Sequence, residues 1–466
     1  MQELEYSKEI KKELLKEGIK IGERIRVIKN KIILEGILLP KGEFGDKNSI
    51  VLKLDSGYNI GIKYENGVKI EKAKTSEPKK IKTETEIELG KIKEKFLESL
   101  KWDETKPKIS LIATGGTIAS RVDYKTGGVY MIMKPEEFLY NIPELRNIIK
   151  IQRIINPFNK ASEDMDVNDW KIIAKNVANE LNKSEGVIIT HGTDTLHFTS
   201  AALSFMLRKK SEKWDEKHSV SKPVVLVGAQ RSSDRGSSDT AMNLICSSYL
   251  AISDIANIGI CMHGSESDDF CYFIRGTKVR KMHTSRRDAF KPINEFPIAK
   301  IWNNGKIEIL NKNINKRTNE KVIADLKFND KIAILKAYPG SEPKLIKFLI
   351  KNDYQGIIIE GTGLGHVPIF AKKSWTNEIK NACESGVFIG ITSQTIFGRV
   401  NKYVYRNLRI LSKLGSVHLE DMLTEVAYIK LGYILGHTKK LEKIKSVMLT
   451  NISNEITERS IGGFIE

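Results

Sequence analysis

Cysteine is scarce in this chain: four in 466 residues, at Cys246, Cys261, Cys271 and Cys383. No two stand as Cys-x-x-Cys and none has metal-ligand spacing. Neither a disulfide framework nor a cysteine-held zinc is expected, and no metal site is proposed. Long apolar runs are missing too; nothing approaches the roughly 18 residues of a membrane-spanning helix. The charged start, Met1-Gln-Glu-Leu-Glu-Tyr-Ser-Lys-Glu-Ile10, lacks the apolar stretch of a secretion signal. These absences argue for the cytoplasm and against a membrane. No Gly-x-x-x-x-Gly-Lys-Ser/Thr loop occurs, so no phosphate loop for ATP is visible. There is no basic tail, although 76 Lys and Arg against 58 Asp and Glu leave a net charge of +18. The densest basic stretch holds Lys278, Arg280, Lys281, Arg286, Arg287 and Lys291. Diffuse positive charge fits contact with an RNA backbone and fits a solvated lysine-rich surface equally well.

What is present divides along the chain. The length exceeds one ordinary core, so two or three domains are expected. A short charged helix opens the chain over residues 1–17. Short β runs at 24–28, 31–39, 49–54 and 59–64 follow, separated by Lys41-Gly, Gly45-Asp, Asp55-Ser-Gly and Glu65-Asn-Gly. They predict an N-terminal β-barrel domain over residues 1–76. Residues 77–106 read as a charged linker with one amphipathic helix, about Ile87 to Leu100. From there strands alternate with helical patterns. Continuous apolar runs at 108–113, 186–190, 223–228, 258–262, 331–338, 356–360 and 386–392 suit parallel strands buried on both faces. The expected fold class is α/β, a doubly wound and mainly parallel sheet. A Lys- and Asn-rich break at 311–330 separates a larger domain, 107–315, from a smaller α/β domain, 330–440. Residues 441–466 form a C-terminal extension.

Two threonine-glycine segments sit where a strand should end and a helix begin: Ala113-Thr-Gly-Gly-Thr117-Ile-Ala-Ser120 and Thr190-His-Gly-Thr193-Asp194-Thr195. The carboxyl edge of an open α/β sheet is where ligands bind. Glycines permit tight turns and close backbone approach, free N–H groups hold anions, and threonine hydroxyls offer nucleophiles. Taken alone, either segment is also an ordinary strand–turn–helix with Thr as a cap.

Together, and in this order, the two segments resemble the asparaginase/glutaminase family. The resemblance covers roughly residues 107–440 and implies that 107–315 is an asparaginase-like catalytic domain. It carries over Thr117 as the first catalytic threonine, Thr193 as the second, and Asp194 beside it. The family lysine lies nine residues before a Phe, which Lys281-Met-His-Thr-Ser-Arg-Arg-Asp-Ala-Phe290 satisfies. This selects Lys281 over Lys278. Ser162 and Glu163 match the pair that anchors the amino-acid end of the substrate; a helix cap before Trp170 is the plainer alternative. Tyr124 or Tyr130 would close the site, with Tyr124 preferred; either could simply pack.

The β domain in front, the Val122-Asp-Tyr-Lys-Thr-Gly-Gly-Val129 loop and Asp421-Met-Leu-Thr-Glu-Val-Ala-Tyr-Ile-Lys-Leu-Gly432 narrow the resemblance. They are similar to the glutaminase subunits of archaeal tRNA-dependent amidotransferases. Such a chain hydrolyses glutamine and needs no cofactor of its own. Its partner, the catalytic amidotransferase subunit (the E-type chain), uses ATP and Mg to convert Glu-tRNA(Gln) to Gln-tRNA(Gln). The assembly implied is a homodimer within a heterotetramer that binds tRNA(Gln) charged with glutamate. The alternative is a stand-alone cytoplasmic L-asparaginase. A basic RNA-binding protein on a degenerate enzyme scaffold is a third reading, opposed by the intact Thr117, Thr193, Asp194 and Lys281.

Overall fold

The structure is a computed structural model that describes residues 6–29, 32–39, 46–54, 59–73, 102–116, 120–122, 129–131, 142–231 and 238–459. Two compact units emerge: 1–101 with 119–143 and 231–240, and 102–118 with 144–230 and 241–466.

The first unit opens with helix α1 (Lys8–Lys16), whose N-terminus is capped by the Ser7 side chain. Its Ile10 and Leu14, one turn apart, are buried. Five antiparallel strands follow: β1 (Arg24–Lys29), β2 (Ile32–Leu38), β3 (Ser49–Lys53), β4 (Asn59–Lys63) and β5 (Lys69–Lys72), in the order β4-β3-β2-β1-β5. Alternation in β1 sends Ile25 and Val27 inward against Ile50, Leu52 and Ile70. No ladder joins β4 to β5 among the described residues, so the expected barrel is observed as a five-stranded sheet. The helix expected at about 87–100 lies outside the described residues.

The second unit holds an eight-stranded sheet in the order β18-β17-β14-β13-β12-β10-β6-β9. Its parallel half is β6 (Lys108–Ala113), β9 (Lys150–Ile155), β10 (Val187–Thr190), β12 (Val224–Val227) and β13 (Ile258–His263). Every residue of β10, β12 and β13 is buried, as a layer covered on both faces requires. The remaining strands, β14 (Cys271–Arg275), β17 (Ala299–Ile301) and β18 (Ile307–Ile309), are antiparallel and extend the sheet beyond what apolar runs announce. Two two-stranded ribbons belong to this unit, β11 (Leu207–Lys209) with β19 (Val322–Ala324) and β15 (Val279–Lys281) with β16 (Phe290–Pro292); another, β7 (Ser120–Val122) with β8 (Val129–Met131), belongs to the first unit. Helices α2 (Val167–Leu181), α3 (Leu196–Met206) and α4 (Thr240–Ala251) join the strands.

A second sheet, wholly parallel, runs β20 (Ile332–Lys336), β21 (Gly356–Gly361), β22 (Phe388–Ser393) and β23 (Val417–His418). Helices α5 (Lys344–Lys351), α6 (Thr376–Glu384), α7 (Arg406–Lys413), α8 (Thr424–Leu435) and α9 (Leu441–Leu449) complete it. Helix α8 is buried nearly all round. Its Val426, Ile429, Leu431 and Tyr433 share one core with α3 and with β10, β12 and β22. No helix among the described residues is long and apolar enough to cross a membrane.

Candidate functional site

Strands β6 and β10 are parallel neighbours in register, Ala113 beside Thr190. Their carboxyl ends therefore release the two hydroxyl-rich turns side by side. Thr114 fastens them: its N–H and its Oγ1 both donate to the Thr190 carbonyl, at 3.1 and 3.0 Å. Gly116 has φ +85°, and a Cβ there would lie 2.5 Å from the Gly192 nitrogen. A Cβ on Gly192 would in turn meet Ser162 Cβ and Oγ at 2.9 Å. So three segments converge without space for a methyl group. Ser162 is buried in a 3-10 turn, Ser162–Asp164, and its carbonyl accepts from Thr195 Oγ1 at 2.6 Å. Glu163 beside it is exposed. The cap of α2 is a different residue, Asp166, which forms a capping box with Asp169.

Opposite this floor stands the β15–β16 ribbon, which pairs Lys281 with Phe290. Lys281 Nζ donates to Thr193 Oγ1 at 2.9 Å and to Asp194 Oδ1 at 2.7 Å. The lysine side chain is 9% exposed and the Asp194 side chain 66%, so the cluster opens to solvent on the carboxylate side. Lys278 goes elsewhere: it is fully buried, 2.7 Å from the equally buried Asp421 Oδ2. Burial pushes the Lys278 ammonium below its usual value, against the pull of Asp421. Asp421 also accepts from Thr457 N at 3.0 Å. Thus Thr193, Asp194 and Lys281 are brought into direct contact, with Ser162 at the neighbouring turn. Thr117 and Tyr124 lie outside the described residues; Tyr130 is on β8.

His191, one residue ahead of Gly192, is fully buried. Its Nδ1–H donates to the Gly192 carbonyl at 2.7 Å, and Nε2 accepts from Thr199 at 2.8 Å. Burial pushes its pKa down to about 4. A layer that sequence reasoning did not single out underlies Lys281. Arg280 Nη1 lies 3.3 Å from Glu425 Oε2, and His197 Nε2 lies 3.9 Å from Glu425 Oε1. Burial pushes the Glu425 carboxyl up. Burial, with the nearby Arg280 and Lys281 charges, pushes His197 down to about 3. Signals existed: Arg280 adjoins Lys281, and Glu425 lies inside the 421–432 segment. Among the described residues no group of three or more His, Cys, Asp or Glu could hold a metal ion.

With that geometry in hand, three family models match. The asparaginase N-terminal domain covers residues 108–315, the glutaminase/asparaginase C-terminal domain 331–448, and the GatD N-terminal domain 19–72. The D-type chain of the glutamyl-tRNA(Gln) amidotransferase from Pyrococcus furiosus is 47% identical over 95% of this chain and 96% of its own. Its namesake from Sulfolobus acidocaldarius is 42% identical over 95% and 93%. Among solved structures, the thermostable L-asparaginase from Thermococcus kodakarensis superposes with a TM-score of 0.67 at 27% identity, covering 76% of this chain and all of that one.

Proposed function

Since the chain belongs to the GatD family, the D-type chains of glutamyl-tRNA(Gln) amidotransferases, with an asparaginase-like core, we propose that the cluster around Lys281 is its glutamine-hydrolysing site. Ammonia released there passes to a partner amidotransferase subunit. That partner uses ATP and Mg to activate glutamate on tRNA(Gln).

In this reading Thr117 Oγ1 attacks the side-chain carboxamide carbon of glutamine. The C–N bond breaks, ammonia leaves carrying the proton given up by the hydroxyl, and water then cleaves the ester to glutamate. Thr193, Asp194 and Lys281 form the proton-handling group. Ser162 holds the substrate's α-carboxylate, Glu163 and Asp194 take its α-ammonium, and Tyr124 closes over it. The observation that carries the reading is Lys281 Nζ within hydrogen-bond distance of both Thr193 Oγ1 and Asp194 Oδ1 at a parallel sheet's carboxyl edge.

The test is glutamine hydrolysis by the chain alone, with the partner subunit, and with partner plus glutamyl-tRNA(Gln). Thr117→Val runs in parallel. A large rise in the complete mixture, lost in Thr117→Val, is expected. Full activity of the isolated chain with asparagine preferred would instead identify a stand-alone asparaginase.

A further inference from the structure

Behind Thr193 lies a buried histidine that the proposed hydrolysis does not use. His263, the last residue of β13, is fully buried. Its Nδ1 is 2.6 Å from Asn243 Oδ1, and its Nε2 is 2.9 Å from Asp268 Oδ1. The orientation of Asn243 is fixed independently. Its Nδ2 donates to the Gly228 carbonyl at 3.0 Å, so its oxygen must face the ring. His263 therefore stands between two acceptors. A neutral imidazole carries one N–H and would turn a lone pair onto one of them; the imidazolium satisfies both.

The two arms lead to opposite sides of the candidate site. On one, Asn243 holds the turn at Gly228, where a Cβ would lie 2.7 Å from Thr193 Cγ2 and 3.1 Å from the His191 carbonyl. On the other, Asp268 also accepts from Arg287 Nη1 at 2.8 Å. Arg287 belongs to the loop between β15 and β16, the ribbon that carries Lys281. Arg287 Nη2 further donates to the Glu266 carbonyl. Burial raises the Asp268 carboxyl, and its contacts with His263 and Arg287 outweigh that and hold it below the usual range. Three thiols adjoin the same network. Cys271 lies 3.5 Å from Asn243 Oδ1 and adjoins Cys261 and Cys246; burial pushes the Cys271 thiol up, so it stays neutral.

We propose that His263 is a positioning residue: its doubly protonated ring ties the turn behind Thr193 to the loop that follows Lys281 and so fixes the distance between hydroxyl and ammonium. This rests on the Thr193–Asp194–Lys281 reading of the site. Removing either arm should loosen that distance and lower kcat while leaving KM nearly unchanged.

The test pairs two measurements on the full chain with its partner subunit and glutamyl-tRNA(Gln). The number of protonated ring nitrogens is read by ¹⁵N NMR, with His263→Gln to assign the signal; kcat and KM for glutamine are measured under the same conditions. Two protonated ring nitrogens are expected in the active enzyme. His263→Gln should lower kcat about tenfold and leave KM within about twofold. Asp268→Ala, at an exposed carboxylate, should lower kcat in the same direction with KM again within about twofold. A singly protonated ring in the fully active enzyme would overturn the proposal. So would wild-type kcat in Asp268→Ala or in folded His263→Gln. If wild-type enzyme fails to hydrolyse glutamine at all, the reading of the site falls instead.

Discussion

Lys278 and Lys281 are three residues apart on β15 and its lead-in, and an odd spacing on a strand sends side chains to opposite faces. One face meets a buried carboxylate, the other the hydroxyl turn. Their substitutions should therefore separate cleanly. Lys281→Met should cut glutamine turnover by about 10²–10⁴ with little change in melting temperature. Lys278→Met leaves Asp421 buried without its counter-charge and should cost about 3–5 kcal/mol of stability. Turnover and thermal unfolding of both purified variants decide this. His191 makes a second claim at this scale. Its folded pKa, about 4, lies below the ordinary 6.5, so the folded state binds fewer protons than the unfolded state between those values. Stability from this group is complete above pH 6.5 and falls as pH drops toward 4, by about 3 kcal/mol in all. His197, His218 and His418, also pushed down by burial, act in the same direction. The melting temperature should decline over that window, and less steeply in His191→Gln.

At the scale of elements, the contact between turns is the sharpest claim. Gly192→Ala places a methyl group against Ser162. Overpacking of this kind costs about 1–3 kcal/mol. Because Ser162 is displaced, KM for glutamine should rise more than kcat falls; unchanged KM would remove Ser162 from the substrate end of the site. The strands that frame the site were legible because burial on both faces writes them as apolar runs: 108–113, 186–190, 223–228 and 258–262 became β6, β10, β12 and β13. The nine-residue spacing from Lys281 to Phe290 has a physical origin too, since the two face each other across a ribbon and the loop length fixes the register. β9, β14, β17 and β18 were not legible. They are short or carry charge, as in Lys-Ile-Gln-Arg-Ile-Ile, and are defined by the neighbours they pair with. Likewise no local pattern joins Lys278 to Asp421 or His263 to Asn243, because those partners meet only once the sheet has assembled.

For the whole molecule, the core is completed from far along the chain. Lys430 on α8 is fully buried and donates to the Met448 and Thr450 carbonyls at 2.9 and 2.6 Å. Its charge is met by Glu455 at 2.6 Å, itself fully buried and held by the Ile452 and Ser453 amides. Glu455→Gln should cost about 3–5 kcal/mol, measurable by denaturant unfolding. The segment beyond α9 also supplies Thr457 to Asp421. Translation runs from the amino end, so α8 leaves the ribosome with its lysine before the counterion exists. Until Glu455 is made, that ammonium belongs in water and the helix cannot settle between the sheets. A message cut short of that codon would yield a product with its central helix loose, the kind of chain that cellular proteases clear.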